Sequence, residues 1–86
     1  MTGVLRLRVR VLEQWDDIVL TLPRTTTIVA VKEAALAAAR VTEDASGFLV
    51  KFRGAAIGDE TRSLGDEQVP ADAGLIVMRR RRAPVR

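Results

Sequence analysis

The sequence predicts an α+β fold in which a mixed sheet of four to five strands packs one main helix against one face. Three observations lead to this fold class. Residues 5–11 alternate aliphatic side chains with arginines, the period of two that a half-buried strand requires. Residues 28–40 instead repeat their apolar side chains at helical spacing, and further aliphatic runs follow at 48–52 and 75–78. Strands that come before and after one helix indicate a sheet covered on one side.

Composition limits both the size of the protein and its chemistry. The chain has 86 residues, a net charge of +3, and neither cysteine nor histidine. We expect one domain over residues 1–82 and a short tail over 83–86, because this length is small for two cores. Without thiols or imidazoles, we expect no enzyme activity, no cofactor and no metal ion. No apolar stretch approaches the roughly 20 residues of a membrane span, so we expect a cytoplasmic protein.

The first two strands are predicted to form a hairpin. Aliphatic residues occupy the inward face of the first strand: Leu5, Leu7, Val9 and Val11. Arginines occupy its outward face: Arg6, Arg8 and Arg10. After the polar connection "EQWDD", the run "IVLTL" alternates in the same way, with Ile18, Leu20 and Leu22 inward. Trp15 in the connection either caps the hairpin or is an exposed anchor.

A helix is predicted from about Ile28 to Arg40. Thr27 precedes it as the N-cap, since a threonine hydroxyl accepts a hydrogen bond from a first-turn amide. The segment is rich in alanine, the best helix former, and Arg40 would place a cation at the negative end of the helix dipole.

The second half of the chain is predicted to contain two more strands separated by turns. In "FLVKF", Phe48, Val50 and Phe52 share one side, and Leu49 and Lys51 share the other. Gly54 permits a tight turn after this strand. Residues 55–74 are mostly turns, with one helical turn near Ser63 to Asp66, and "LIVM" is the last strand. The predicted core comprises Leu7, Val9, Leu20, Val31, Leu64, Leu75 and Val77.

Three stretches of the sequence resemble ubiquitin in their order and spacing. The stretch "TIVAVKEAA" resembles the start of the ubiquitin helix, and "FRGAAIGDETRSLGDEQV" resembles the turn-rich region after its third strand. "GLIVMRRRR" resembles its last strand and arginine-bearing tail. The resemblance runs from Leu5 to Arg82 and implies the ubiquitin-like β-grasp fold. It also implies that Lys32 is partly buried and structural, with its charge held by a nearby acid.

The sequence departs from ubiquitin near its C-terminus. Conjugatable relatives and sulfur carriers end in Gly-Gly, whereas the corresponding positions here are Ala83 and Pro84, and no two glycines are adjacent. Proline fixes φ and alanine adds a methyl group, so we expect that the chain is not conjugated. A modifier or sulfur carrier with an atypical C-terminus is the alternative. The ubiquitin-like proteins of type VII secretion systems also lack these glycines, and the alanine- and arginine-rich composition suggests a bacterial protein.

The outward face of the sheet is the candidate protein-interaction surface. If the last strand lies between the first and third, as the resemblance implies, this face carries Arg6, Arg8, Arg10, Leu49, Lys51, Ile76, Met78 and Arg80. Apolar residues framed by cations suit an acidic partner segment with apolar anchors, so we predict a monomeric, noncatalytic docking module. A solvated arginine face is the alternative. Because Lys51 replaces an aliphatic residue of the ubiquitin patch, ubiquitin-binding proteins should bind poorly.

The arginine run after the last strand suggests a rival function. Arg79, Arg81 and Arg82 are candidate anion contacts, through which the chain would bind nucleic acid or an anionic membrane without specificity. Sequence-specific recognition of single strands is not expected, because the outward positions carry no row of aromatic residues for base stacking. A solvated tail is the alternative.

Overall fold

The computed structural model describes residues 3–11 and 17–80. In these ranges the elements are β1 (Val4–Val11), β2 (Ile18–Pro23), α1 (Ile28–Ala38), a 3₁₀ helix (Ala45–Gly47), β3 (Phe48–Phe52), β4 (Ala55–Ala56) and β5 (Gly74–Arg79). The strands form a 5-stranded sheet in the order β2-β1-β5-β3-β4, with α1 on one face. The predicted α+β arrangement is confirmed. Trp15 lies outside the described residues.

Strand β5 occupies the centre of the sheet and joins its two halves. It runs parallel to β1, with Arg10 opposite Ile76. It runs antiparallel to β3, with Lys51 opposite Ile76 on the other side. Helix α1 connects β2 to β3, which run in the same direction because each is antiparallel to one member of the parallel β1–β5 pair. The first and last strands of the chain are therefore neighbours.

The inner face of the sheet packs against α1 through an aliphatic core. Most of the predicted core residues are at most 1% exposed: Leu7, Val9, Val31, Leu64, Leu75 and Val77. Leu20 is the exception, because it is only half-buried and packs against the margin of the core. Strand β2 is at the edge of the sheet, where it has a neighbouring strand on one side only.

Helix α1 begins as predicted but ends earlier. The Thr27 hydroxyl accepts a hydrogen bond from the Ala30 amide at 3.3 Å, which confirms the N-cap. The helix ends at Ala38 because Arg40 adopts a left-handed conformation with φ 63°. The Arg40 amide then donates to the Ala37 carbonyl at 3.0 Å. Together with a Val41 to Leu36 bond of 2.9 Å, this is the Schellman arrangement, which usually places glycine at this position.

Replacing Arg40 with glycine is expected to stabilise the protein by about 0.5–1 kcal/mol, because glycine adopts a positive φ without the steric penalty of a Cβ atom. Urea or thermal unfolding measures the change. Arg40→Ala is the matched control, since it removes the same side chain and charge but keeps Cβ, and it should give no gain. Equal stability of the two variants would show that the left-handed conformation at position 40 is not strained.

The turns in the second half of the chain agree with those predicted from the sequence. Arg53 and Gly54 connect β3 to β4 with φ values of 55° and 82°, the pair of positive φ angles typical of a type I′ hairpin turn. The predicted turn at Gly54 is confirmed. Near Ser63 the Glu67 amide donates to the Ser63 carbonyl at 3.1 Å, which closes a single turn without extending into a helix.

No helix within residues 3–11 and 17–80 combines the length and apolar character needed to cross a bilayer.

Candidate docking surface

The outward face of the sheet exposes aliphatic and basic side chains together. Ile76 and Met78 on β5 are 44% and 37% exposed, and Leu49 and Lys51 on β3 are half-buried. The outward residues of β1 are all exposed: Arg6, Arg8 and Arg10. Apart from Arg80, the structure places every predicted outward residue on this face, and we call this set the outward patch.

The strand register sets which side chains of the outward patch are neighbours. Ile76 lies between Arg10 on β1 and Lys51 on β3. Met78 lies opposite Leu49. Because adjacent strands are only about 4.8 Å apart, each cation is next to the aliphatic residue in the same row. The patch therefore has an apolar centre with a cation on either side of Ile76.

Val19 extends the apolar part of this face and was not included in the predicted surface. Its side chain is 51% exposed, and it pairs with Arg8 across the β1–β2 hairpin. The alternation of "IVLTL" places Val19 outward, so the sequence carried the signal. The strand register, which places Val19 beside Arg8, could not be predicted from this alternation.

The arginines of β1 differ in their contacts. Arg10 Nε lies 3.1 Å from Asp17 Oδ1, and both side chains are well exposed, so this ion pair contributes little to stability. Within residues 3–11 and 17–80, Arg6 and Arg8 form no ion pair. Arg8 and Arg10 line a shallow recess of about 250 Å³ together with Asp17 and Gly74.

The prediction that Arg80 belongs to the outward patch does not agree with its contacts. Its amide donates to the Gly47 carbonyl at 2.9 Å, so the chain leaves β5 beside the 3₁₀ helix. Its guanidinium donates to the Ser46 carbonyl at 2.9 Å and to Glu60 Oε2 at 3.3 Å. These contacts fasten Arg80 to the loops that flank β3, instead of leaving it with Ile76 and Met78.

Arg79, predicted as an anion contact, already contacts a carboxylate of the domain. Its two terminal nitrogens each lie 2.8 Å from an oxygen of Glu43, and its guanidinium lies 5.3 Å from the centre of the Phe48 ring. The hydrogen bond from Arg79 lowers the pKa of Glu43 below its ordinary value. The pair lines a cleft of about 540 Å³ at the end of β5. Arg81 and Arg82 lie outside the described residues.

Lys32 is buried in the manner that the resemblance to ubiquitin implies. Its side chain is 2% exposed, and its Nζ donates to the Phe48 carbonyl at 3.0 Å and to Glu60 Oε1 at 2.6 Å. The other oxygen of Glu60 accepts from Arg80. One carboxylate therefore links the helix to the residue that follows β5, and Lys32 is a structural residue, inaccessible to modification.

In the described part of the chain, no group of three or more acidic side chains is arranged to hold a metal ion.

Comparison with known proteins identifies the fold. No protein-family model and no curated protein matches the sequence. Among solved structures, the chain is similar to the ubiquitin of Caldiarchaeum subterraneum, with a TM-score of 0.78, 14% identity, and coverage of 95% of this chain and 100% of that one. It is also similar to the ubiquitin-like domain of an Arabidopsis thaliana protein, with a TM-score of 0.74, 14% identity, and coverage of 98% and 87%. A designed protein based on ubiquitin gives a TM-score of 0.77, 13% identity, and 98% coverage of each chain.

These similarities show that the chain has the ubiquitin-like β-grasp fold. Identities of 13–14% establish the fold alone, because one fold serves many functions through different surface residues.

Proposed function

We propose that the chain is a noncatalytic protein-docking module that binds an acidic protein segment on its outward patch. The observation that carries the proposal is the exposure of Ile76 and Met78, at 44% and 37%, in the middle of a sheet face that also carries arginine and lysine side chains. Exposed aliphatic residues on a central strand lose unfavourable contact with water when a partner covers them. The neighbouring cations, Arg10 and Lys51, remain at the rim.

The apolar and the basic residues of the outward patch contribute to binding in different ways. Buried apolar anchors supply much of the affinity of an interface, whereas rim charges mainly raise the association rate and select partners of opposite charge. Lys51 has a second consequence, because a cation directly beside Ile76 disfavours a partner whose surface complements only aliphatic residues. The monomeric state and the cytoplasmic location stay expectations from the sequence.

The two rival functions have less support. Conjugation as a modifier, or sulfur transfer, would use a flexible Gly-Gly segment, whereas the positions that the resemblance to ubiquitin aligns with it hold Ala83 and Pro84. Binding to nucleic acid through the arginine run would use charges that are partly engaged already, since Arg79 contacts Glu43 and Arg80 contacts Glu60.

The double replacement Ile76→Ala/Met78→Ala is expected to reduce recovery of the bound partner at least about tenfold, because truncating the central residues of an interface has the largest effects. The measurement is quantitative mass spectrometry after pull-down from nuclease-treated native lysate. Val4→Ala is the matched control. Val4 is a 44% exposed aliphatic residue at the far end of the same face. It is about 20 Å along β1 from the row of Ile76.

Equal recovery by the double variant and wild type, with both proteins folded, would refute docking through the outward patch. Loss of all bound partners on nuclease treatment would assign the binding to nucleic acid. The variant Arg81→Gln/Arg82→Gln then tests the tail without disturbing the contacts of Arg79 and Arg80.

A further inference from the structure

A shallow recess lies on the outward face next to Ile76. It has a volume of about 250 Å³ and is lined by Arg8, Arg10, Asp17, Gly74, Leu75 and Ile76. It forms because Gly74, which has no side chain, lies opposite Arg8 in the parallel β1–β5 pairing. A Cβ atom at Gly74 would meet nothing within 4 Å, so the space above this glycine is open.

The recess holds more positive than negative charge. Arg8 and Arg10 are alternate residues on β1, so their Cα atoms are about 6.6 Å apart and both side chains project from the same face. Asp17 supplies one carboxylate, whose Oδ1 accepts a hydrogen bond from Arg10 Nε at 3.1 Å. Arg8 forms no ion pair with any residue in the ranges 3–11 and 17–80. Among the described residues, one guanidinium of the recess is therefore matched to a carboxylate and the other is not.

We propose that this recess is a carboxylate subsite of the outward patch, in which Arg8 binds an acidic side chain of the partner and Asp17 acts as a built-in competitor. The proposal rests on the proposed docking function and specifies the partner: a protein segment that carries an Asp or Glu next to an aliphatic residue. A guanidinium offers a planar fork of donors that fits a carboxylate. The Arg10–Asp17 pair is an intramolecular example of this contact in the same recess.

The neighbouring residues favour an acidic peptide over a free phosphate. Ile76 forms one side of the recess and Val19 pairs with Arg8, so a bound segment meets exposed aliphatic surface next to the guanidinium. An inorganic anion gains nothing from such surface, whereas an adjacent leucine or valine side chain does.

Asp17 opposes the partner in two ways. It holds the Arg10 guanidinium, and its own negative charge repels a carboxylate that approaches the recess. Neutralising Asp17 should therefore strengthen binding, in contrast to the loss expected from neutralising Arg8. Opposite effects of two neighbouring charge removals distinguish a carboxylate subsite from a general effect of net charge.

The test is a titration of the isotope-labelled full chain, followed by amide NMR shifts. The probe is the capped peptide acetyl-Glu-Leu-Glu-Leu-Glu-amide, and its counterpart has glutamine in place of each glutamate. We expect the glutamate peptide to shift the amides of Val19, Arg8 and Gly74, and to bind several-fold more tightly than the glutamine peptide. Asp17→Asn should tighten binding about threefold and Arg8→Gln should weaken it about threefold, the scale of one exposed ion pair.

Glu33→Gln is the matched control for Asp17→Asn. It removes the same formal charge from an exposed position on α1, on the other side of the sheet. Equal binding of the two peptides, or equal effects of Asp17→Asn and Glu33→Gln, would overturn the proposal. The proposal would also be overturned if inorganic phosphate shifted the same amides at the same concentration as the glutamate peptide, because the recess would then bind anions in general.

The titration tests the carboxylate subsite and the pull-down tests the docking function, so either proposal can be refuted without the other. The titration requires no natural partner, so a negative result removes the carboxylate subsite and leaves docking through Ile76 and Met78 intact. A pull-down that is insensitive to Ile76→Ala/Met78→Ala removes the docking function, whatever the peptides show.

Discussion

Replacing Lys32 with alanine is expected to destabilise the protein by about 3–5 kcal/mol, because the change removes one partner of a buried ion pair. The Lys32 side chain is 2% exposed and that of Glu60 is 12% exposed, so the remaining carboxylate cannot recover full hydration. The Phe48 carbonyl also loses its donor. The total stability of a small domain is only about 5–15 kcal/mol, so this variant should be partly unfolded at room temperature or close to it. Urea unfolding monitored by circular dichroism measures the effect.

The double variant Lys32→Met/Glu60→Gln is the informative control. Methionine fills the space of the lysine stem, and glutamine removes the buried charge while keeping an acceptor near Arg80. Apolar or neutral replacement of both partners of a buried pair is often close to neutral. The double variant should therefore recover at least half of the loss, with the Phe48 carbonyl accounting for the remainder. If Lys32→Ala melts within about 2 °C of wild type, the pair is not important for the fold, since a loss of 1 kcal/mol lowers Tm by about 4–8 °C at this size.

Replacing Leu64 with alanine is expected to destabilise the protein by about 2–4 kcal/mol, through lost apolar burial and the cavity left behind. Leu64 has no exposed surface and lies in the turn-rich segment that has no regular secondary structure. Its amide donates to the Thr26 carbonyl at 2.9 Å, which fixes the segment beside the start of α1. The side chain belongs to the buried core cluster. Thermal unfolding measures the loss.

Leu20→Ala provides the comparison for Leu64→Ala. The two changes remove the same atoms, but Leu20 is half-buried on the edge strand β2. Since the loss scales with the apolar area removed from water, Leu20→Ala should destabilise by about half as much or less. Equal losses at the two positions would contradict the difference in burial between Leu20 and Leu64.

The sequence predicted the elements whose signals are local and periodic. The alternation of aliphatic and basic residues along the chain predicted β1 and its inward face, and Thr27 predicted the start of α1. The end of α1 was placed too late, because Arg40 adopts a left-handed conformation that glycine usually signals. Strand β4 has only two residues, Ala55–Ala56, and carries too little pattern to be recognised.

The candidate site was predictable only in part, for a geometrical reason. Alternation tells which face a residue occupies, so Ile76 and Met78 were placed outward correctly. It does not tell where a long side chain ends after its strand has stopped, and the direction of Arg80 depends on Ser46 and Glu60, which are distant in sequence. The recess at Gly74 could not be predicted from the sequence either, since it depends on the β1–β5 register.

The central position of β5 has a consequence for the order in which the chain can fold during synthesis. Strands β1 and β3 do not pair with each other, and each is joined to the rest of the sheet through β5, the last strand to be made. Until residues 74–79 leave the ribosome, the β1–β2 hairpin and the β3–β4 hairpin have no backbone hydrogen bonds between them. Pairing between strands that are distant in sequence is also slow, because closing the long intervening loop costs conformational entropy before any stabilising contact forms. The two hairpins can therefore join into one sheet only after β5 has been made, so the sheet is completed in one late step.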